Sequence, residues 1–289
     1  MRRIAFSIAL LAALAVTSAT LGAGFTVTSA GPDDSFGALG DSQNTVLFPT
    51  YSGPTYPCDV ITVAGTLTKV NPSSLASDST WSLHAFGGFN FYSQLTTVTN
   101  YTTLNVSDNT YGLFFIKNYP QYRFESGEMG TTVDQPGLDA QWTNVTFTFH
   151  PQVPTITYSS NPTMAVTANT LGSSFGTQLA LYSSEGVLLG NDINSGPGGF
   201  SQLTSAPLDA GTYYLVAGGS SSTFLDNWGT PGAEFGNLQL QINDQTIFSG
   251  ALESGHFNII PINVVPEPSA VALAALGALL LAARFRRIW

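Results

Sequence analysis

The residue pattern predicts an all-β protein: two β-sandwich or jelly-roll-like units, flanked by an N-terminal signal helix and a C-terminal transmembrane helix. The prediction rests first on apolar and polar side chains that alternate with a period of two in many short segments. Clusters rich in Gly, Ser and Pro separate those segments. No long amphipathic helical pattern occurs outside the termini.

At the N-terminus, Arg2 and Arg3 form a positive region, residues 4–16 an apolar stretch, and residues 17–24 a run of small residues suited to cleavage. Residues 1–24 therefore read as a signal peptide. Thr17-Ser18-Ala19 and Gly22-Ala23-Gly24 both fit a small-x-small cut, so the site of cleavage stays open.

Residues 25–150 form the first expected sandwich. Val145, Phe147 and Phe149 alternate strictly with Asn144, Thr146 and Thr148, which marks a half-buried strand. Ile61/Val63, Trp81/Leu83, Leu104/Val106 and Tyr111/Leu113/Phe115 are further strand candidates. A boundary falls near Pro151-Gln152-Val153-Pro154. Residues 151–263 form the second sandwich, with strands at Met164/Val166, Leu179/Leu181, Tyr213/Leu215 and Leu238/Leu240/Ile242.

Within that second half, the segment Phe175-Gly176-Thr177-Gln178-Leu179-Ala180-Leu181-Tyr182 is followed by the turn Ser184-Glu185-Gly186 and the return Val187-Leu188-Leu189-Gly190. Asn191-Asp192 then opens a Gly-rich loop, and Leu208-Asp209-Ala210-Gly211-Thr212-Tyr213-Tyr214 leads into another strand. This pattern, over residues 163–243, resembles the bacterial pre-peptidase C-terminal type of β-sandwich. The resemblance implies a non-catalytic accessory module of a secreted protein. Ile193 stands where that pattern carries a second Asp, which bears directly on any cation site in the loop.

The C-terminus is the most specific part of the chain. Val265-Pro266-Glu267-Pro268-Ser269 precedes an apolar run over residues 270–283, and Arg284, Arg286 and Arg287 follow just before Trp289. Proline has a fixed φ and no N–H, so Pro266 and Pro268 make an extended spacer ahead of a helix. The Ala/Leu-rich run spans roughly 22 Å at 1.5 Å per residue and reaches across a bilayer only if its Arg and Trp ends snorkel. The basic end stays on the cytoplasmic side. Residues 264–289 resemble the PEP-CTERM sorting signal of exported bacterial proteins. That resemblance implies recognition of Pro266, Glu267 and Pro268 by a membrane processing enzyme, an exosortase. It also implies association with the membrane through the C-terminal helix before processing. An ordinary tail anchor is the alternative.

Composition narrows the function. Between the terminal signals lie three basic residues, Lys69, Lys117 and Arg123, against seventeen acidic ones, a net charge of −14. Such a body repels nucleic acid, so no nucleic-acid partner is expected. Cys58 is the only cysteine and leaves no internal disulfide, so burial must hold the fold together. Without a neighbouring His or basic residue in sequence, it reads as a packing residue.

Candidate chemistry is sparse. Gly40-Asp41-Ser42 and the later Glu253-Ser254-Gly255-His256 are similar to elements of lipase-like hydrolases, but without the strand-turn-helix setting those enzymes use. Ser42 and His256 are therefore not expected to form a catalytic pair, and no residue is assigned a catalytic or metal-binding role. His84, His150 and His256 are isolated in sequence. Oxygen-bearing side chains at Asp33, Asp34, Asp41, Asn191, Asp192, Asp226 and Glu234 sit in expected loops. Asn191 and Asp192 are the candidates for Ca²⁺, the one cofactor considered. Trp228, in a Gly/Pro-rich stretch, is the candidate carbohydrate contact, ahead of Phe86, Phe89, Phe91, Tyr92, Tyr119 and Tyr122.

The leading expectation is a non-catalytic cell-surface or extracellular-matrix protein, exported through the inner membrane, sorted by its tail and associated with exopolysaccharide. A carbohydrate- or calcium-binding module is the alternative, and a secreted hydrolase stands third. Fold class alone does not separate them.

Overall fold

The computed structural model describes residues 24–72, 79–84, 101–118, 122–128, 138–151, 158–160 and 165–264. The two expected terminal helices lie outside these residues. The all-β expectation holds: among the described residues the chain forms strands and one 3₁₀ turn, Pro197–Gly199.

The first half contributes β1 (Thr26–Ser29), β2 (Asp33–Ser35), β3 (Val46–Leu47), β4 (Tyr56–Lys69), β5 (Ser79–His84), β6 (Thr103–Ile116), β7 (Arg123–Glu128) and β8 (Ala140–Pro151). The second contributes β9 (Tyr158–Ser160), β10 (Thr167–Asn169), β11 (Thr177–Ser183), β12 (Leu188–Ile193), β13 (Gln202–Thr204) and β14 (Gly211–Gly219). It continues with β15 (Thr223–Leu225), β16 (Trp228–Thr230), β17 (Gly236–Ile242), β18 (Gln245–Leu252) and β19 (Asn258–Val264).

A large sheet runs in the order β1-β8-β4-β6-β16-β15, with β2 also paired to β8, and a small sheet runs β3-β7-β5. Between them lies the first core. Ile61 and Val63 of β4, Phe147 and Phe149 of β8, and Phe114 of β6 meet Trp81 of β5 and Phe124 of β7. The alternation read from the sequence now has a direction: Val145, Phe147 and Phe149 are buried, while Thr146 and Thr148 sit on the opposite face. Leu104 to Phe115, expected as two strands, belongs to the single long strand β6.

The second sandwich pairs a sheet ordered β13-β10-β17-β18 with one ordered β12-β11-β14-β19-β9. Leu179 and Leu181, Leu215 and Ala217, Leu238 and Leu240, and Ile260 and Ile262 fill its core. Their sequence neighbours point the other way into a third apolar cluster. There Ala180, Tyr182, Val216 and Ile259 meet Leu113, Phe115, Phe224 and Phe257. Strands β6, β11, β14 and β19 are therefore buried on both faces along part of their length. This explains the continuous apolar runs Leu113-Phe114-Phe115-Ile116 and Leu215-Val216-Ala217, which alternation alone does not predict.

The two halves are also joined through the backbone. The β15–β16 hairpin comes from the second half, yet β16 pairs with β6 through Trp228↔Phe114 and Gly229↔Leu113. At its tip, Asn227 N–H donates to the Gly186 carbonyl at 2.7 Å, and Phe115 N–H donates to the Asn227 carbonyl at 2.8 Å. Lys117 Nζ donates to Asn227 Oδ1 at 2.7 Å. Gly186 has φ +79°, and a Cβ there would lie 2.6 Å from Phe115 Cγ, so this turn admits only glycine without rearrangement.

Candidate functional site

The Gly40-Asp41-Ser42 turn is held by groups that do structural rather than nucleophilic chemistry. Asn44 Oδ1 accepts from the N–H groups of Phe36 and Gly37, at 2.9 and 3.2 Å, while its amide donates to Gly37 and Ala38 carbonyls. From β7, the buried Glu125 carboxylate accepts from Gly40 N–H and from Asn44 Nδ2, and Arg123 closes the set at 2.8 Å. Asp41 Oδ1 caps Gln43 N–H at 2.9 Å, an Asx-type turn. Ser42 is exposed. His256 stands elsewhere: its ring lies 4.1 Å from that of Tyr111, and its Nε2 is 3.7 Å from Glu253. Among the described residues no hydrogen bond joins Ser42 to His256.

The acidic loop residues are likewise engaged locally. Asp192 accepts from Ser195 Oγ and, at 2.8 Å, from Gln202 N–H, closing the loop that leads into β13. Asn191 is exposed beside it. Asp226 Oδ1 accepts from Leu188 N–H at 2.8 Å. Glu234 gathers Ser220 Oγ at 3.0 Å, Ser221 N–H at 3.1 Å and Ser221 Oγ at 2.7 Å. Those donors, led by the Ser221 hydroxyl, hold its carboxyl below the usual range. Asp33 is buried on β2 with Ser29 Oγ donating to Oδ1 at 2.9 Å, and burial raises its pKa. Among the described residues no three His, Cys, Asp or Glu side chains cluster as a metal site.

The loop expected around Trp228 is a strand instead. Trp228 is half-buried against the first core, and its carbonyl accepts from Tyr182 Oη at 3.4 Å. Tyr122, grouped with the exposed aromatics, is fully buried, its hydroxyl donating to the Lys117 carbonyl at 2.9 Å. Phe86, Phe89, Phe91, Tyr92 and Tyr119 lie outside the described residues. Cys58 is buried at the β4 bulge, and burial pushes its thiol well above the ordinary range, as a packing residue requires.

The arrangement not anticipated from sequence is on the outer face of the large sheet. Register places Thr26, Thr148, Thr62 and Asn109 side by side across β1, β8, β4 and β6. Two residues along, Thr28, Thr146, Ala64 and Ser107 form the next row, and Thr143, Thr66 and Asn105 the one after. Thr66 Oγ1 donates to Asn105 Oδ1 at 3.2 Å. At the other end stand His150, Val60 and Tyr111, with His256 against Tyr111 and Thr62 Oγ1 3.1 Å from His150 Nε2. Asp59, bulged out of β4, has its pKa raised by burial, opposed by His256 and His150. The sequence signal was Thr on the polar side of β1, β8 and β4 and Asn and Ser on that of β6.

The remaining site is the tail. Strand β19 pairs with β14 antiparallel and with β9 in parallel up to Val264. Pro266, Glu267, Pro268, Arg284, Arg286 and Arg287 follow, outside the described residues. Residues 264–287 match the PEP-CTERM protein-sorting motif. The motif indicates an exported, membrane-transiting protein that is sorted through an exosortase-type enzyme. No curated protein and no solved structure matches the chain. The family match is confined to the tail, so the likeness of residues 163–243 to the pre-peptidase C-terminal type is not confirmed by it.

Proposed function

We propose that this chain is a non-catalytic component of the cell surface or extracellular matrix, delivered by its C-terminal tail and associated with exopolysaccharide. The match of residues 264–287 to the sorting motif, joined without a spacer domain to β19, carries the reading. The second sandwich then serves as the part presented nearest the membrane, and the first sandwich as the outward part. Support for a non-catalytic role comes from the Gly40-Asp41-Ser42 turn, where Glu125 holds Gly40 N–H and Asp41 Oδ1 accepts from Gln43 N–H, while His256 lies against Tyr111 and Glu253, apart from Ser42.

A carbohydrate-binding role is the second reading, favoured by the hydroxyl-bearing outer face of the large sheet. The test of the first is fractionation of producing cells with mass spectrometry of the C-terminus. Wild-type protein should be found outside the inner membrane and lack the apolar segment of residues 270–283. Glu267→Ala should still be exported but accumulate as uncleaved precursor, since one carboxylate fixed between two prolines is what the enzyme grips. Mature protein still ending at Trp289 would show a permanent anchor.

A further inference from the structure

We propose that the outer face of β1, β8, β4 and β6 is a docking face for an extended, uncharged polysaccharide. This deepens the exopolysaccharide association above and rests on it. Strands in a sheet lie about 4.8 Å apart and rows on one face about 6.8 Å apart. The three hydroxyl rows together with the Tyr111 row therefore cover roughly 14 by 20 Å, enough for several sugar units. Thr26, Thr28, Asn105, Ser107 and Asn109 are exposed, and the central Thr62, Thr66, Thr146 and Thr148 are half-exposed between their neighbours. Thr26, Thr28, Thr146, Thr148 and Ser107 make no side-chain hydrogen bond to other described residues. They present both a methyl or methylene group and a hydroxyl, matching the CH and OH groups of a sugar ring.

Charge selects the class of polymer. The chain between the terminal signals carries −14, yet none of the three rows contains a charged side chain. A polyanion gains nothing from such a face and is repelled by the rest of the body. A protein partner would find no Arg or large buried apolar anchor in the rows, the groups on which protein interfaces depend. A neutral glycan needs neither. At the end of the face Tyr111, 39% exposed, offers a ring braced by His256 on which a sugar can stack. Beyond it the same side of β6 passes under the second sandwich at Leu113 and Phe115, which fixes where the track stops.

The experiment uses the full chain in mild detergent, with microcrystalline cellulose and insoluble β-1,3-glucan as neutral probes and alginate as the acidic one. Wild type should sediment with at least one neutral glucan, unaffected by salt from about 0.05 to about 1 M, because no ion pairs are involved. A double variant, Thr62→Lys with Thr148→Glu, keeps net charge and sets opposite charges directly across the β4–β8 register, which supports the sheet. It should bind roughly tenfold more weakly or worse, as expected for the loss of one or two well-placed hydrogen bonds. The matched change Gln239→Lys with Ser249→Glu, opposed on β17 and β18, should leave binding unchanged. Circular dichroism confirms the fold of each variant. Equal binding by the Thr62/Thr148 variant, salt-sensitive binding to alginate alone, or no sedimentation with either glucan overturns the proposal. So does a wild-type dimer that this variant dissociates without any glucan binding. A chain that reaches the cell surface with a processed tail but ignores glucans overturns the docking face and leaves the sorting reading standing.

Discussion

Replacing Phe115 by alanine removes a fully buried ring from the cluster that joins the two sandwiches. The ring lies 5.1 Å from Tyr182 and 5.6 Å from Tyr214, both carried by the second sandwich, while its backbone belongs to β6 of the first. Truncation of a buried Phe costs about 3–5 kcal/mol, of which each aromatic contact supplies about 0.5–1.5 kcal/mol. Most of that loss falls on contacts between the halves and not on either core, so the variant should uncouple them. The adjacent Phe114→Ala is the control: its ring enters the first core and should cost a similar amount while leaving the halves coupled. Denaturant unfolding followed by tryptophan fluorescence reports the first core, where Trp81 and Trp142 are buried. Hydrogen exchange at Leu238, Leu240 and Ile242 reports the second. Both probes should move together in wild type and Phe114→Ala but separate in Phe115→Ala. Coincident transitions in Phe115→Ala, or a loss below about 1 kcal/mol, would refute the account of a shared interface core.

Gly186→Ala should destabilise by at least about 1–2 kcal/mol, since φ is +79° and the new methyl meets Phe115; calorimetry should show a smaller penalty in a Phe115→Ala background. Cys58 should resist thiol reagents in the native protein near pH 8 and react only on unfolding, as followed by mass spectrometry, because burial keeps it protonated. Asp33→Asn should stabilise at neutral pH. Burial raises the folded pKa of Asp33, so its penalty is absent below the unfolded value near 3.8, grows as pH rises through the folded pKa, and persists above it. Denaturation of both forms at pH 3 and pH 7 checks this, and an equal difference at the two pH values would count against it.

Several strands with one wet face were legible. Val145 to Phe149 and Leu238 to Ile242 announce themselves by alternation because water selects polar residues on one side. Strand β6 shows where this weakens: Tyr111, Leu113 and Phe115 were read as strand, but past Tyr111 both faces are covered, so the period no longer tells which face of Leu113 to Ile116 points into the first core. The pairing of β16 with β6 was not legible, because its short strand carries no strong pattern and its partner lies more than a hundred residues away. For the same reason Trp228 read as loop when it is sheet. The sorting motif was legible because its information is local: prolines, an apolar run and arginines in a fixed order. The rows of Thr on the large sheet were half legible. Each strand shows its own hydroxyls, but only the register makes them neighbours.

Strand β19 closes the second core with Ile260, Ile262 and Val264 and the interface cluster with Ile259, and Pro266 follows two residues after its end, within the sorting motif of residues 264–287. Two residues of extended chain reach at most about 7 Å. If the processing enzyme grips Pro266-Glu267-Pro268, as proposed above, it must come almost against the folded sandwich, or act while the last residues of β19 are peeled from β14. In the second case cutting and folding compete for the same few residues. Lengthening the chain between Val264 and Pro266 by a flexible insert would relieve that competition, and the rate of tail removal would report which order the cell uses.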